Sequence, residues 1–434
     1  MDRPDANRQP GVVVVFSGGA TMRAIPIDGP LELGRECEGA GKLEDGRTSR
    51  RHATVAFDDG RFVATDLASQ NGSFADGQPM APKIATPFSR VLRVGDSLLV
   101  PCNDVGPIER WGMRTIDGFV RGPAMQEVLA EVARAARSGS VLHVRGETGT
   151  GKEGIAQAFH RAGPRASGPV GAVNCAAIPP ALAERLLFGA KRGAYSGADQ
   201  DATGYLQDSD GGTLFLDEVA ELDPLVQAKL LRALESKAVT PLGASKAREI
   251  DLGFCSATNK DLRALVAAGS LREDIYFRIG RPMVTLPALR NRPEEIVALI
   301  ESELAKHAAT AHVSLVEQCL LRPWPGNIRE LLAELRTAAQ AAASDGNRVL
   351  ARHLSPSAGS LFSALVPEQA PESAETKKRA PAVVDDEWRQ RIEDALRANA
   401  GNVAGAARAL GLHRTQLRRM IERHGIAVVD SSED

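Results

Sequence analysis

Long apolar runs are missing from this 434-residue sequence, and none approaches the ~18 residues that a membrane-spanning helix needs. The first residues, MDRPDANRQPG, are polar and lack the apolar segment of a secretory signal, so we expect a cytoplasmic protein. Cysteine is scarce: the five lie far apart and form no CxxC pair, which argues against a disulfide framework or a zinc site. The net charge is only −2, so any contact with nucleic acid must come from a local basic patch.

The chain is long enough for roughly three domains, and its composition changes along its length. Residues 11–105 hold the short β-rich runs VVVVF, ATVAF and RFVATDL, separated by turn pairs such as Asp-Gly and Asn-Gly. Regular spacing of this kind predicts an N-terminal β-sandwich. Residues 101–117 have the character of a connector.

A different pattern occupies residues 117–353, where helical stretches alternate with the apolar runs VLHV, TLFL and IDLGF. This alternation predicts βαβ units around a parallel sheet, hence an α/β domain, with a helical subdomain over residues 296–353. Residues 354–384 are rich in Pro, Ala, Ser and Glu, which predicts a mobile linker. Helical periodicity resumes over residues 385–428 and predicts an all-α C-terminal domain.

One segment has the pattern of a phosphate-binding loop: GETGTGKE follows the apolar run VLHV and precedes the helical run IAQAFH. Its glycines allow backbone N–H groups to turn towards phosphate oxygens, and the following helix adds its positive end. Lys152 can reach the β- and γ-phosphates, whereas Glu153 stands where a Mg²⁺-binding hydroxyl is usual. The nucleotide-binding candidates are Gly146, Glu147, Thr148, Gly149, Thr150, Gly151, Lys152 and Glu153.

Two further strand ends carry the polar groups that such a loop requires. GGTLFLDEV contains Asp217, which would hold Mg²⁺ directly or through water, and Glu218, which would polarise the attacking water. FCSATN ends in Thr258 and Asn259, which would sense the γ-phosphate of ATP. Doubly wound sheets bind their ligands at the carboxyl ends of the strands. A glycine-rich turn and a buried Asp-Glu pair could each arise by chance, but their order, spacing and strand context together favour binding of ATP and Mg²⁺.

The stretch from Phe119 to Ala341 resembles the central AAA+ domain of sigma-54-dependent activators, the bacterial enhancer-binding proteins. That family's phosphate-binding loop is typically GESGTGKE, with glutamate at the eighth position as here. The other matching motifs, in chain order, are VNCAAI, LLFGAKRGAYSGA, GGTLFLDEVAEL, QAKLLRALE, SATNKDL, LREDIYFRI and WPGNIREL.

The resemblance also implies roles for residues outside the two nucleotide motifs. Asn174 would couple to Glu218 as a nucleotide-state switch, and Arg272 and Arg278 would reach a neighbouring subunit as arginine fingers. Arg329 would be a second nucleotide sensor, carried by the helical subdomain. Without the resemblance, these arginines would be assigned to a solvated helix face. ALRNRPEEI departs from the family's usual PLRER and acidic pair, and we expect little consequence from this.

The loop motif GAYSGA matches the family's GAFTGA, the feature that separates this family from other AAA+ proteins. In the family, this loop moves as ATP turns over and touches sigma-54. Tyr195 replaces the usual Phe and Ser196 the usual Thr, and both changes keep the chemical type. The alternative is a flexible surface hairpin without a partner. The candidates for sigma-54 contact are Gly193, Ala194, Tyr195, Ser196, Gly197 and Ala198.

In the N-terminal domain, the turn clusters GR, SRRH and NG, together with DLASQNGSF and VGDSL, resemble a forkhead-associated (FHA) domain. That fold is a β-sandwich whose loops bind phosphothreonine peptides. Arg35 and Arg50 would supply charge to the phosphate, and Ser49 a hydroxyl. Asn71 would bond the peptide backbone, while His52 would support the loop from within the fold. The alternatives are a plain hairpin turn with solvated arginines, and an FHA fold that has lost its ligand.

The last segments, WRQRIEDALRANAG, NVAGAARALG and LHRTQLRRMIERHG, each place apolar residues on one helical face, and a short glycine turn joins the second to the third. This helix-turn-helix pattern resembles the Fis-type DNA-binding domain that commonly ends this activator family. Residues 401–426 contain five Arg and one Glu, an excess of positive charge that can meet phosphates. A three-helix oligomerisation module is the alternative. The DNA-binding candidates are Arg414, Thr415, Arg418 and Arg419.

Together these features predict a multidomain chain: an FHA β-sandwich, an α/β AAA+ P-loop ATPase with a helical subdomain, and an all-α helix-turn-helix. The resemblance implies a hexameric homo-oligomer that remodels the sigma-54 RNA polymerase holoenzyme, with a dimeric DNA-binding domain on an upstream enhancer-like site. A phosphothreonine-containing protein would be the input. The alternatives are an AAA+ remodeller that has lost sigma-54 contact, which GAYSGA argues against, and a non-catalytic DNA-binding regulator, which the Asp217–Glu218 pair argues against.

Overall fold

The computed structural model describes residues 8–18, 22–116, 118–139, 141–195, 198–361, 392–399, 402–410, 417 and 421. They divide into two compact units, Met1–Val366 and Pro367–Asp434. Within the described residues, every helix is too short or too polar to cross a bilayer.

Residues 11–102 form the predicted β-sandwich. Its strands are β1 Gly11–Phe16, β2 Arg23–Pro26, β3 Leu31–Leu33, β4 Ala53–Asp58, β5 Arg61–Asp66, β6 Ser73–Ala75, β7 Gln78–Pro79, β8 Ala85–Phe88, β9 Leu92–Val94 and β10 Ser97–Cys102. One sheet has the order β2-β1-β10-β9-β6-β7 and the other β3-β4-β5-β8. Asp59 and Gly60 join β4 to β5 with φ angles of 50° and 78°, as a two-residue hairpin turn requires.

The connector after the sandwich has regular structure of its own. It contains α1 Gly106–Trp111, followed by the antiparallel pair β11 Arg114–Ile116 and β12 Phe119–Arg121. The predicted connector, residues 101–117, therefore begins as the end of β10 and continues as a helix and a hairpin strand.

An α/β domain built on five parallel strands follows, as predicted. Its helices are α2 Pro123–Ser138, α3 Lys152–Ala162, α4 Pro180–Phe188, α5 Tyr205–Asp208, α6 Pro224–Ser236, α7 Leu262–Ala267 and α8 Glu273–Ile279. The strands are β13 Val141–Arg145, β14 Val170–Asn174, β15 Thr213–Asp217, the hairpin β16 Ala238–Val239 and β17 Arg248–Glu249, β18 Gly253–Thr258 and β19 Met283–Thr285. The main sheet has the order β14-β15-β18-β13-β19, so β13, β15 and β18 are neighbours at its centre. The run IDLGF enters β18 only with its last two residues, because the Asp251 N–H bonds Asp210 instead of a neighbouring strand.

The helical subdomain, called the lid below, covers residues 286–360. It contains α9 Glu294–Ala305, β20 Thr310–Ala311, α10 Val313–Leu321, α11 Asn327–Ala341 and β21 Arg348–Val349. Residues 354–360, predicted as the start of the linker, are packed onto this subdomain. The Trp324 N–H donates to Gly359 O at 3.1 Å, and Arg322 donates to the carbonyls of Ser355 and Ala358 at 3.0 and 2.7 Å. Trp324 is fully buried, and residues 354–360 form part of the surface that buries it.

The sandwich packs on the lid through the outer face of one sheet. Strand β1 is apolar on both faces: Val12 and Val14 belong to the core between the two sheets, whereas Val13 and Val15 belong to a core shared with the lid. Helix α9 contacts β1, and α10 contacts β10. Sandwich and lid therefore share one hydrophobic core within the first unit.

The second unit contains α12, residues 392–398, and α13, Val403–Ala409. Its small core contains residues from the predicted apolar faces of all three C-terminal segments. The core residues are Ile392, Leu396, Ala406, Ala407, Leu417 and Ile421.

Candidate functional site

The phosphate-binding loop lies between β13 and α3, as the sequence predicts. Gly149 and Gly151 have φ angles of 78° and 101°, a region that residues with a Cβ rarely adopt. Gly149 also lies against the lid, because a Cβ at this position would overlap the carbonyl oxygen of Gly326. Both the turn and the approach of the lid therefore require glycine there. Glu153 is exposed in the first turn of α3.

Lys152, the first residue of α3, is aimed at the acidic pair. Its Nζ lies 2.9 Å from Glu218 Oε1 and 3.8 Å from Asp217 Oδ1, and it donates to Gly146 O at 3.3 Å. The side chain of Lys152 is only 6% exposed. A buried ammonium needs anionic partners, and here two carboxylates supply them.

Glu218 follows β15 directly and has a φ of 50°, which is uncommon for a residue other than glycine. Such backbone geometry is concentrated at functional sites. Its Oε2 accepts hydrogen bonds from Thr258 Oγ1 at 3.2 Å and from the Asn259 N–H at 3.4 Å. The carboxyl ends of β15 and β18 and the loop after β13 thus bring together residues from three separate sequence motifs.

The lid holds the same loop through residues to which sequence reasoning gave no role. Asn327 is fully buried and donates from Nδ2 to Glu147 Oε2 at 3.1 Å and to Thr148 O at 3.0 Å. Its Oδ1 accepts the Leu289 N–H at 2.8 Å. Arg290 pairs with Glu147 through two bonds of 2.9 and 2.6 Å, and this pairing lowers the pKa of Glu147. Asn327 lies in the quoted motif WPGNIREL, but its partner Glu147 is 180 residues away in sequence.

A fully buried ion pair contacts the other side of the loop. Arg292 NH1 lies 2.7 Å from Glu295 Oε2, and both side chains have no exposed surface. Arg292 NH2 donates to Thr150 O at 3.1 Å, and Glu295 Oε1 accepts the Gly122 N–H at 2.6 Å. The segment ALRNRPEEI, from which we expected little, therefore carries both Arg290 and Arg292, and these two residues fix the lid against the phosphate-binding loop.

Two residues with roles implied by the resemblance lie near the acidic pair. Burial raises the pKa of Asp217, and the positive charge of Arg329 on α11 opposes this rise. Asn174, the last residue of β14, is in register with Asp217 on the neighbouring strand. Its Oδ1 accepts the Ala176 N–H at 3.0 Å, and among the described residues no hydrogen bond joins it to Glu218. The coupling of Asn174 to Glu218 stays a prediction.

The two candidate arginine fingers lie on α8 and at its N-cap. Arg272 NH2 pairs with Asp274 Oδ2 at 2.7 Å, and Arg278 NH2 donates to Leu234 O at 2.6 Å. Both arginines are exposed, and Phe277 beside them is 71% exposed. Arg272 thus contacts a residue of its own helix and Arg278 a carbonyl of α6, and their exposure leaves both accessible to a second subunit.

The GAYSGA loop lies between α4 and α5, and backbone hydrogen bonds join its two ends. The Gly193 N–H donates to Ala198 O at 2.9 Å, and the Ala198 N–H to Tyr195 O at 3.0 Å. The ring of Tyr195 is 5.4 Å from the guanidinium of Arg185, within the range of a cation–π contact. Tyr195 is 37% exposed. The other two predicted positions, Ser196 and Gly197, lie outside the described residues.

This loop rests on a second loop, between β16 and β17. A Cβ at Gly243 would lie 2.9 Å from the Cβ of Ala194, so glycine permits the close approach. The Lys191 N–H donates to Leu242 O at 2.9 Å, and the Leu242 N–H donates to Gly189 O at 3.0 Å. These bonds predict that the two loops move together.

The turn clusters of the sandwich converge at one end. Ser49 Oγ accepts the Gln70 N–H at 3.1 Å, and Asn71 Nδ2 donates to Arg47 O at 2.7 Å. The Arg35 N–H donates to Ser49 O at 3.0 Å. The predicted residues Arg35, Ser49 and Asn71 are thus brought together by the three loops that carry them.

His52 supports this cluster from inside, as expected. It is fully buried, accepts the Ser49 N–H at Nδ1 (3.0 Å) and lies with Nε2 3.2 Å from Gly72 O. Burial lowers the pKa of His52, which favours the neutral ring that makes these two contacts. Arg50 is exposed, and its Nε lies 3.3 Å from Glu36 Oε1. The cation predicted to bind phosphate therefore has a carboxylate as its neighbour.

Family models match the chain in three places. The sigma-54 interaction domain matches residues 119–285, the FHA domain residues 31–100, and the bacterial regulatory protein domain of the Fis family residues 389–424. The transcriptional regulatory protein GlrR of Escherichia coli strain K12 is 34% identical over 338 residues, which cover 75% of this chain and 71% of GlrR. The chain belongs to the family of sigma-54-dependent transcriptional regulators.

Two further proteins are similar to the chain over comparable lengths. The DNA-binding transcriptional activator HyfR of Escherichia coli strain K12 is 37% identical over 324 residues, 72% of this chain but only 48% of HyfR. The structure of NtrX from Brucella abortus in complex with ADP superposes with a TM-score of 0.51 at 27% identity, covering 70% of this chain and 68% of NtrX. The chain itself thus has the predicted domain order, with an FHA domain first, a sigma-54 interaction domain second and a Fis-type helix-turn-helix last.

The helix-turn-helix of this sigma-54-dependent regulator is described only in part. The Asn399 N–H donates to Ala395 O at 3.2 Å and the Asn402 N–H to Asn399 O at 2.9 Å, so Asn399 forms the turn between α12 and α13. A Cβ at Gly405 would lie 2.7 Å from Asn399 Oδ1, so glycine lets α13 approach this turn. The predicted DNA-binding residues, Arg414, Thr415, Arg418 and Arg419, lie outside the described residues.

Proposed function

We propose that this regulator hydrolyses ATP and uses the energy to open promoters held by sigma-54 RNA polymerase. The observation that supports this most directly is the convergence of Lys152, Glu218 and Thr258 at the carboxyl ends of central parallel strands. The lid also contacts the phosphate-binding loop, through the hydrogen bond from Asn327 to Glu147. A phosphate-binding loop with its lysine and a residue that activates water are parts that P-loop hydrolysis requires.

In this proposal Lys152 leaves Glu218 and binds the phosphates of ATP. Glu218, released from Lys152, accepts a proton from the attacking water, while Thr258 and Asn259 hold its second oxygen in place. Asp217 would hold Mg²⁺, because its carboxylate stays partly exposed at the carboxyl end of β15 and carboxylate oxygen is a donor that this ion prefers. When bound, Mg²⁺ would neutralise charge on the β- and γ-phosphates.

Hydrolysis in this proposal needs a second subunit. Arg272 and Arg278 are exposed at the N-cap and in the last turn of α8, from where they would reach the γ-phosphate of ATP bound to a neighbour in a hexameric ring. Each arginine must then leave its present partner, Asp274 or Leu234 O. Arg329 and Asn174 would report the state of the nucleotide to the lid and to the edge strand β14.

The output of the cycle would pass through the GAYSGA loop to sigma-54. Tyr195 supplies an exposed aromatic surface, and the second loop moves with the first through its contacts at Gly243 and Leu242. The C-terminal helix-turn-helix would hold the assembly on upstream DNA, with Arg414, Thr415, Arg418 and Arg419 as the contacting residues.

The N-terminal sandwich would provide the input. A phosphothreonine dianion would be bound by Arg35 and Arg50, with Ser49 and Asn71 positioning the peptide. The hydrogen bonds at Ser49 and Asn71 already join the loops, so binding need not order them, although Arg50 must exchange Glu36 for the phosphate.

In vitro transcription from a sigma-54-dependent promoter tests the proposal. The purified chain with ATP should convert closed complexes of sigma-54 polymerase into open ones. The Glu218→Gln variant and a non-hydrolysable ATP analogue are the controls, and both should leave the promoter closed. ATP turnover without promoter opening would favour the alternative, an AAA+ remodeller acting on another protein.

A further inference from the structure

The outer face of the sheet that contains β1 and β10 is apolar and buried. In a two-sheet sandwich, an outward-facing strand position is normally polar, since inner and outer side chains alternate. Strand β1 breaks this pattern with Val13 and Val15, and β10 breaks it with Leu98 and Val100, all four buried in the core shared with the lid. The run VVVVF is therefore explained by burial on both faces.

Charged and polar contacts fix the orientation of this packing. Arg93 NH1 lies 2.7 Å from Glu317 Oε2 on α10, and the two side chains are only 20% and 7% exposed. The same guanidinium lies 3.7 Å from the ring centroid of Phe74. Arg90 donates to the carbonyl oxygen of Leu321, the last residue of α10. We call the contact between the β1–β10 face and helices α9 and α10 the clamp.

On the sandwich side, the clamp is tied to the loop that would bind phosphothreonine. Asp45 Oδ2 accepts hydrogen bonds from Thr48 Oγ1 at 2.9 Å and from the Asp96 N–H at 2.5 Å. Thr48 directly precedes Ser49, and the turn containing Asp96 leads straight into Leu98 of the clamp. A Cβ at Gly95 would lie 2.8 Å from both Asp45 Oδ2 and Thr48 Oγ1, so this junction has no free space.

On the lid side, the clamp is tied to the phosphate-binding loop. Helix α10 carries Glu317 and ends near Trp324, whose Nε1 donates to Cys319 O at 2.7 Å. The carbonyl of Trp324 accepts the Asn327 N–H at 2.8 Å. Asn327 then holds Glu147 through its side chain. These contacts form an unbroken series from α10 to the phosphate-binding loop.

We propose that the clamp couples the phosphothreonine loop to the nucleotide site, so that nucleotide binding at the loop after β13 stabilises the sandwich face through the lid. The inference rests on the proposed binding of nucleotide. Such coupling is reciprocal: the factor by which nucleotide changes the affinity of the Ser49 loop for its ligand equals the factor by which that ligand changes the affinity for nucleotide.

Amide hydrogen exchange of the full chain, with and without ADP, tests this coupling. ADP should slow exchange in residues 146–153 and also in residues 11–16 and 97–102, the latter by about five-fold. Glu317→Arg places two cations face to face in the clamp. It should keep the protection at 146–153 and lose that at 11–16 and 97–102. The double variant Arg93→Glu/Glu317→Arg re-forms the pair with reversed charges and should restore it.

Arg61→Glu is the matched control, because it reverses a charge on an exposed residue of the opposite sheet. It should leave the ADP effect on β1 and β10 unchanged. Protection of the wild type that stays confined to 146–153 and the lid would overturn the coupling while leaving nucleotide binding intact. Absence of ADP protection at 146–153 would overturn both the proposed ATPase and the coupling that depends on it.

Discussion

Glu218 accepts a hydrogen bond from Lys152 at 2.9 Å, so the residue proposed to activate water is paired with the residue proposed to hold the γ-phosphate. This pairing neutralises a buried lysine and a carboxylate that are both largely removed from solvent. A triphosphate entering the loop must break it. Nucleotide binding would then itself release the carboxylate that acts on water.

The first prediction concerns this pair. Glu218→Gln should lower ATP turnover by about 10²-fold or more, because the amide cannot accept the proton of the attacking water. ATP affinity should stay equal or rise, since Lys152 loses a competing anion. Lys152→Ala, by contrast, should lose ATP binding. Turnover and equilibrium binding are measured on the same preparations, and undiminished turnover in Glu218→Gln would contradict the assigned role.

Much of this site could be predicted from the sequence, because its parts are local motifs at strand ends. GETGTGKE fixes a turn and a helix start within eight residues, and the alternation of apolar runs and helices predicts which strand ends meet. The structure places Lys152, Glu218 and Thr258 together as that argument expects.

The contacts that depend on tertiary packing could not be predicted in this way. Arg290 and Arg292 bond residues of the phosphate-binding loop that lie 143 and 142 positions away, and nothing in local spacing indicates such partners. The clamp corresponds to one feature of the sequence, which is the unbroken apolar run of β1. A strand buried on both faces has that pattern whatever covers it, so the pattern alone does not identify the lid.

The second prediction concerns phosphothreonine binding. Arg50→Ala should remove binding of a phosphothreonine peptide to the full chain, because the phosphate loses a charge-assisted donor. Glu36→Gln should strengthen binding, since this carboxylate lies 3.3 Å from Arg50 and competes for it. Calorimetry with a phosphothreonine peptide library and its unphosphorylated counterpart measures both effects. A Glu36→Gln variant that binds less tightly than the wild type would show that Glu36 positions Arg50 and does not compete with phosphate.

The third prediction is a pH dependence of stability. Burial raises the pKa of Glu294, at the start of α9, from 4.5 to about 7. A carboxyl with a raised pKa in the folded state favours folding below its unfolded pKa, and that contribution is lost as the pH rises from 4.5 to about 7. Glu294→Gln keeps the neutral form and should raise the Tm by about 2–4 °C above pH 7.

The difference in Tm between Glu294→Gln and the wild type should shrink towards zero as the pH approaches 4.5. Glu235→Gln, at an exposed position on α6, is the control for removing one charge. Thermal unfolding followed by circular dichroism across this pH range gives both curves. A stabilisation that is the same at every pH would show that the pKa of Glu294 is not raised by folding.

We expect ATP turnover to drive sigma-54 promoter opening through the GAYSGA loop, and substitutions of Tyr195 separate these two steps. Tyr195→Ala removes the exposed ring, whereas Tyr195→Phe keeps it and removes only the hydroxyl. The decisive measurement is open-complex formation on a sigma-54 promoter, with ATP turnover recorded on the same samples. Tyr195→Ala should keep its turnover and fail to open the promoter, while Tyr195→Phe should do both. Promoter opening by Tyr195→Ala at the wild-type rate would contradict the claim.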